Sequence, residues 1–179
     1  SLVGSEMCIR DRNSYVIGSN KNNLMKTNKK YINYNQTKII NKTLLLIPQG
    51  TPRDVKRLFY LSKNLLTDEI TVRIRLHPAL QKNKGLIDFL NSKIKNKNFT
   101  KSFIFSTKTI EQDIHLSTHF LYTCSTAALE CLSAGLTPIH YNQEGEINSL
   151  EGYDIPNKFE AYSIQDIKKI MNYKIPRSY

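Results

Sequence analysis

The 179-residue chain is poor in cysteine, in long hydrophobic runs and in acidic residues. Its best apolar stretch, Ile39 to Pro48, is interrupted by two polar residues and falls short of the roughly 20 residues that a membrane helix needs. The three cysteines are an odd number without C-x-x-C spacing, which indicates neither a disulfide framework nor a zinc site. We therefore expect reduced thiols in a cytoplasmic protein, with Cys124 and Cys131 as small buried hydrophobes in a helical stretch.

The shortage of acid leaves 26 Lys and Arg against 15 Asp and Glu, a net charge of +11. Such an excess indicates an anionic partner, which is a nucleic acid, a membrane lipid or a phosphorylated small molecule. Aromatic and arginine residues do not interleave as they do in single-strand binding platforms, so we expect no nucleic acid. From charge alone we expect peripheral contact with an anionic membrane.

The amino-terminal third does not look like a folded domain. Residues 1–12 lack the charged start and apolar stretch of a signal peptide and look like a translated sequencing-adapter remnant, so we expect the natural protein to continue upstream. Residues 13–42, rich in Asn and Lys, are predicted to form a linker. Residues 43–179 are predicted to form one domain, which is long enough for a core of its own.

In that domain, short apolar runs alternate with helical segments, a pattern typical of an α/β fold with a parallel sheet and helices on both faces. The predicted strands are 43–48, 70–76, 103–105, 120–122 and 138–141. The predicted helices are 54–66, 86–94, 110–116, 125–134 and 164–171. The carboxyl ends of the strands would then form one edge, where ligands of open α/β sheets bind.

Three motifs fall at that edge. Gly50 lies in Pro-Gln-Gly-Thr-Pro after the first strand, where a glycine permits a tight turn and close approach of a ligand. The motif is not G-x-G-x-x-G, so no dinucleotide cofactor is indicated, and an ordinary strand-to-helix turn is the alternative.

The second motif, Arg73-x-Arg75-Leu76-His77-Pro78, ends a strand at His77, which the following proline holds in an extended backbone. An imidazole at this position donates a hydrogen bond to a phosphate oxygen, and Arg75 raises the local positive potential. The alternative is a histidine that caps a loop. Arg73 and Arg75 share one face of the strand, and solvated side chains are the alternative for both.

The third motif, Thr123-Cys124-Ser125-Thr126-Ala127-Ala128-Leu129-Glu130, follows the fourth strand. Ser125 or Thr126 is a good N-cap, and amide groups at a helix start bind phosphate. We therefore predict that Ser125 and Thr126 bind an anion.

These motifs, together with Ala-Gly-Leu-Thr-Pro-Ile at 134–139, resemble the C-terminal, Rossmann-like lobe of GT-B glycosyltransferases. Within that fold the chain is most similar to bacterial capsule and surface-carbohydrate enzymes, including sialyltransferases and polysialyltransferases, and more distantly to CDP-glycerol glycerophosphotransferases. The resemblance covers roughly residues 15–171 and makes 13–42 an interlobe linker. It implies that His77, Ser125 and Thr126 bind the phosphate of a nucleotide-activated sugar, which is CMP-linked in the sialyltransferase-like members, and that Glu130 holds its ribose.

The resemblance also implies a glycan acceptor, no metal or other cofactor, and a catalytic base on an N-terminal lobe that this chain lacks. The alternative for the chain is a non-catalytic flavodoxin-like module that binds a phosphorylated ligand or a protein. The alternative for Glu130 is an exposed helix glutamate that binds no ligand. Because the predicted helix ends between His115 and His119, we expect these two histidines, and His140, to be structural. Glu144-Gly145-Glu146 is predicted to lie in a loop that either touches the donor sugar or binds nothing.

Overall fold

The computed structural model describes residues 42–66, 70–94, 102–142, 148–150 and 158–173. The predictions made for residues 1–41 and for 144–146 lie outside these ranges, as does Cys8. The elements follow one another as β1 (Lys42–Ile47), α1 (Pro52–Lys63), β2 (Ile70–Ile74), a 3₁₀ turn (Pro78–Leu80), α2 (Lys84–Ile94), β3 (Phe103–Phe105), α3 (Ile110–His115), β4 (His119–Tyr122), α4 (Ala127–Ser133), β5 (Thr137–Tyr141), β6 (Phe159–Ala161) and α5 (Ile164–Asn172). None of the described helices is long and apolar enough to cross a bilayer.

The six strands form one sheet in the order β3-β2-β1-β4-β5-β6, and every neighbouring pair is parallel. This is the strand order of Rossmann folds, and it differs from the flavodoxin-like order. In the centre, Leu45 of β1 pairs with Arg73 of β2 on one side and with Phe120 of β4 on the other. The predicted α/β fold with a parallel sheet is confirmed.

Helices cover both faces of the sheet, because the strands carry apolar side chains on both sides. Leu44 and Leu46 pack into one core with residues of α1, α2 and α5, while Leu45 and Ile47 pack into a second core with residues of α3 and α4. The apolar stripe predicted for the first helix faces the first core through Val55, Leu58 and Phe59, among others. The sheet is therefore a buried platform, and its carboxyl edge is left to the loops.

The structure corrects several details of the sequence prediction. Strand β2 ends at Ile74, so His77 lies in the loop three residues beyond the strand, and helix α1 ends at Lys63. Helix α1 begins at Pro52, because Thr51 caps it and accepts a hydrogen bond from the Asp54 amide. Helix α4 begins at Ala127, so Cys124 lies in the preceding loop, half-buried, while Cys131 is fully buried in α4. Strand β1 begins at Lys42, and β6 was not predicted at all.

Candidate functional site

The order of the strands creates a crevice between the loops that follow β1 and β4. These two strands are neighbours, but the chain leaves β1 toward β2 and leaves β4 toward β5, in opposite directions. Such a topological switch point is where ligands bind in open α/β sheets. The two loops are 48–51, which contains Gly50, and 123–126, which contains Ser125 and Thr126.

Gly50 and His77 lie against each other at this edge. A Cβ added to Gly50 would stand 3.3 Å from His77 Nδ1 and 3.4 Å from its Cγ. Both residues are exposed, so the imidazole ring lies over the glycine in a position that solvent reaches. Two motifs that are 27 positions apart are thus brought into contact, because β1 and β2 are adjacent.

A hydrogen bond orients the ring of His77. Its Nδ1 accepts from the Ala79 amide at 3.2 Å, within the turn that begins at Pro78. Since an accepting nitrogen carries no proton, the neutral ring holds its hydrogen on Nε2. His77 does cap its loop, as the alternative interpretation had it, and it keeps Nε2–H as a donor toward solvent.

Asp54 connects the two sides of the crevice. Its carboxylate is 5% exposed. Oδ2 accepts hydrogen bonds from the backbone N–H of Gln49 at 2.6 Å and from the Thr123 hydroxyl at 3.2 Å, while Oδ1 pairs with Arg57 Nη2 at 2.5 Å. Gln49 belongs to the loop after β1 and Thr123 to the loop after β4, so one buried side chain spans the switch point.

The same carboxylate changes the chemistry of the start of α1. In Rossmann proteins that bind dinucleotides, the pyrophosphate lies at the N-terminus of this helix, against free amide groups. Here the first helical residue is Pro52, which has no N–H, the Asp54 amide is bonded to Thr51, and the Gln49 amide is bonded to Asp54. The backbone groups at positions 49, 52 and 54 therefore offer no free N–H to an anion at the start of α1.

The loop after β4 is held by a second segment, residues 148–150. Ser149 Oγ accepts from the Ser125 amide at 3.3 Å and donates to the Ser125 carbonyl at 3.1 Å. Beside it, the Tyr122 hydroxyl donates to Asn148 Oδ1 at 2.9 Å, and burial raises the pKa of Tyr122. The Ser125 amide is therefore already bonded within the protein, whereas Thr126 is exposed and makes no side-chain capping bond.

The two arginines of the second motif share one face, as predicted, and both bind Asp113 of α3. Arg73 Nη1 lies 3.3 Å from Oδ1, and Arg75 Nη1 lies 3.2 Å from Oδ2. Arg75 also donates to the carbonyl of Lys108, and Ser106 donates to Asp113 at 2.6 Å. Arg73 is 7% exposed and Asp113 is fully buried, so the alternative of a solvated Arg73 is wrong.

The remaining candidates occupy separate places. Glu130 lies one turn into α4 and is half-buried. His115 ends α3 and His119 begins β4, which confirms the predicted break between them. His140 is buried on β5, with Nδ1 at 4.0 Å from Glu160 Oε1. In the part of the chain that the structure describes, no three His, Cys, Asp or Glu side chains come together as metal ligands.

Sequence reasoning missed Asp54, Thr123 and the segment 148–150. Asp54 was assigned only as the start of a helix, although an acidic residue three positions after Thr51 is a recognisable capping pattern. Nothing in the local sequence indicates that its carboxylate also bonds Thr123, 69 positions further along the chain. For 148–150, no periodic signal exists.

No protein-family model and no curated protein matches the chain. Two solved structures that it resembles come from Thermosulfurimonas dismutans KpsC. The first, a beta Kdo 2,7 transferase, shows 14% identity over 80% of this chain and 48% of its own, with a TM-score of 0.44. The second, a beta Kdo 2,4 transferase, shows 9% identity over 83% of this chain and 52% of its own, also with a TM-score of 0.44. The chain spans about half the length of each, and its α/β architecture rests on the strand order and pairing described above.

Proposed function

We propose that the chain is the donor-binding lobe of a two-lobed glycosyltransferase, one that takes a CMP-linked sugar and extends a surface polysaccharide. The main support is the convergence of separate motifs at one switch point. Gly50 contacts His77, and Asp54 joins the loop of Gly50 to the loop of Ser125 and Thr126. Of the residues at this crevice, His77, Ser125 and Thr126 are those that the sequence resemblance implies as donor-binding.

His77 is the residue to which the proposal assigns the phosphate. Because the Ala79 amide occupies Nδ1, the exposed Nε2–H is the donor toward a phosphate oxygen. A hydrogen bond to a charged acceptor is about twice as strong as a neutral one.

Thr126 and Ser125 contribute hydroxyl groups on the opposite side of the crevice. The exposed Thr126 side chain makes no capping bond, which leaves its hydroxyl for the ligand. The Ser125 amide is bonded to Ser149, so Ser125 contributes through its side chain and not through its N–H. Glu130, one turn further on, accepts from the hydroxyls of the ribose.

Stabilisation of the leaving group is the chemistry that such a lobe supplies. As the glycosidic bond breaks, negative charge grows on the nucleotide phosphate, and fixed donors aimed at it lower the barrier. Arg75, which is bonded to Lys108 and Asp113, acts through the local potential and makes no direct contact with phosphate in this proposal. The base that activates the acceptor glycan comes from the second lobe.

A titration of the full chain with nucleotides tests the proposal. Isothermal calorimetry with CMP, CDP, UDP, GDP and ADP should show saturable binding of the cytidine nucleotides, and His77→Ala should weaken it about tenfold, the size of one lost charge-assisted hydrogen bond. His115→Ala, the same substitution at the end of α3, is the matched control and should bind like the wild type. A folded chain that binds none of the five would instead favour a non-catalytic α/β module.

A further inference from the structure

Among the hydrogen bonds described above, only those of the Asp54 carboxylate reach both loops of the crevice. Its Oδ2 receives the Gln49 amide at 2.6 Å and the Thr123 hydroxyl at 3.2 Å. Asp54 and Thr123 are both buried, the second with no exposed surface, so water does not compete for this bond. The contact fixes the distance between two loops that leave the sheet in opposite directions.

Arg57 completes the cluster and balances its charge. Its guanidinium pairs with Asp54 Oδ1 and lies over the ring of Tyr141, 6.0 Å from the centroid, at the end of β5. The carboxylate is therefore neutralised on one side and hydrogen-bonded on the other, which is the condition under which a buried charge is stable. The cluster links α1, the loops after β1 and β4, and the end of β5.

We propose that Asp54 is the positioning residue of the crevice, whose carboxylate holds the loop of Gly50 and the loop of Ser125 at a fixed separation before any ligand enters. The importance of this for nucleotide binding rests on the function proposed above. A crevice that is ordered in advance binds more tightly, because the ligand does not have to order the loops. Because Asp54 is buried, it acts through its bonds to the two loops and not through direct contact with a ligand.

The Thr123→Val variant removes this link and little else. Valine has the shape of threonine without the hydroxyl, and Asp54 keeps its bonds to Gln49 and Arg57. The matched control is Thr118→Val, since the Thr118 hydroxyl donates to the Thr43 carbonyl at 3.0 Å and so joins β1 to β4 at the opposite end of the strands. Thr123→Val loses the hydroxyl bond to Asp54, whereas Thr118→Val loses three hydroxyl bonds, two with Thr43 and one with His119, so the control is the more severe change and lies away from the crevice.

Two measurements on the full chain decide the matter. Amide hydrogen exchange followed by NMR should show faster exchange at Gln49 and Gly50 in Thr123→Val, although the substitution lies in the other loop. Calorimetry should show a dissociation constant for CMP raised about threefold to tenfold, the effect expected of one hydrogen bond. Thr118→Val should leave both quantities at the wild-type values.

Each result separates this proposal from the proposed function. If the wild type binds no nucleotide, the proposed function fails, and the exchange rates at Gln49 and Gly50 alone decide whether Asp54 links the loops. Unchanged exchange in Thr123→Val, or an equal change in Thr118→Val, overturns the link. Faster exchange with an unchanged dissociation constant overturns the positioning role in binding. Asp54→Asn, which keeps the shape but removes the charge, should change both quantities in the same direction as Thr123→Val.

Discussion

His119, the first residue of β4, should make the stability of the fold depend on pH. Burial, with a smaller effect of the nearby Lys42 ammonium, lowers the pKa of His119 from its usual 6.5 to about 4. Its Nδ1 lies 2.8 Å from Thr118 Oγ1, whose own proton is donated to the Thr43 carbonyl. The ring nitrogen is therefore the donor, and the folded state holds a neutral imidazole.

The sign and size of the effect follow from the two pKa values. Because the pKa is lower in the folded state than in the unfolded chain, protonation favours unfolding. The stabilising contribution is complete above about pH 6.5 and is lost as the pH falls from there toward about 4. Linkage between a pKa of 6.5 and one of about 4 gives a loss of about 2 kcal/mol in the free energy of unfolding between pH 7 and pH 5.

Urea unfolding of the full chain at pH 7, 6 and 5, followed by circular dichroism, measures this loss. The His119→Asn variant is the control, since its amide can still donate to Thr118 but does not titrate. Groups other than His119 contribute equally to both proteins, so the variant should lose about 2 kcal/mol less than the wild type over the same interval. Equal losses in the two proteins would refute the argument.

Two further substitutions test the site and its support. Gly50→Ala would place a Cβ 3.3 Å from His77 Nδ1, so the exposed ring must shift. The free energy of unfolding should change by no more than about 1 kcal/mol, while CMP binding should weaken. Unchanged CMP binding in calorimetry would contradict the role assigned to the glycine. Asp113→Ala leaves Arg73 and Arg75 without their buried partner and should cost about 3–5 kcal/mol in urea unfolding. The control is Asp88→Ala, at an exposed position of α2, which should change the free energy of unfolding by less than about 0.5 kcal/mol. An equally small effect of Asp113→Ala would show that the bonds of Asp113 to the two arginines do not stabilise the fold.

Local patterns in the sequence predicted five of the six described strands and the five described α-helices. The apolar run that became β1 and the stripe of α1 were predicted within a few residues, because burial on a sheet or along one helix face imposes a period that short segments display. Strand β6 was not predicted, because it has only three residues and no apolar run. The prediction that a strand ends at His77 was wrong by three residues, since β2 ends at Ile74 and His77 instead caps the turn that begins at Pro78.

Local sequence patterns could not predict which of these residues contact one another in the folded chain. The contact of Gly50 with His77 and the bond of Thr123 to Asp54 exist because β1 lies between β2 and β4, and strand order is decided by the packing of the whole sheet. A solvated Arg73 stayed open as an alternative because its partner, Asp113, is 40 positions away. The sequence by itself determined most of the strands and helices, through interactions within a few positions. Only the tertiary structure decided the crevice, because the hydrogen bonds and contacts that build it join residues that are distant in the chain.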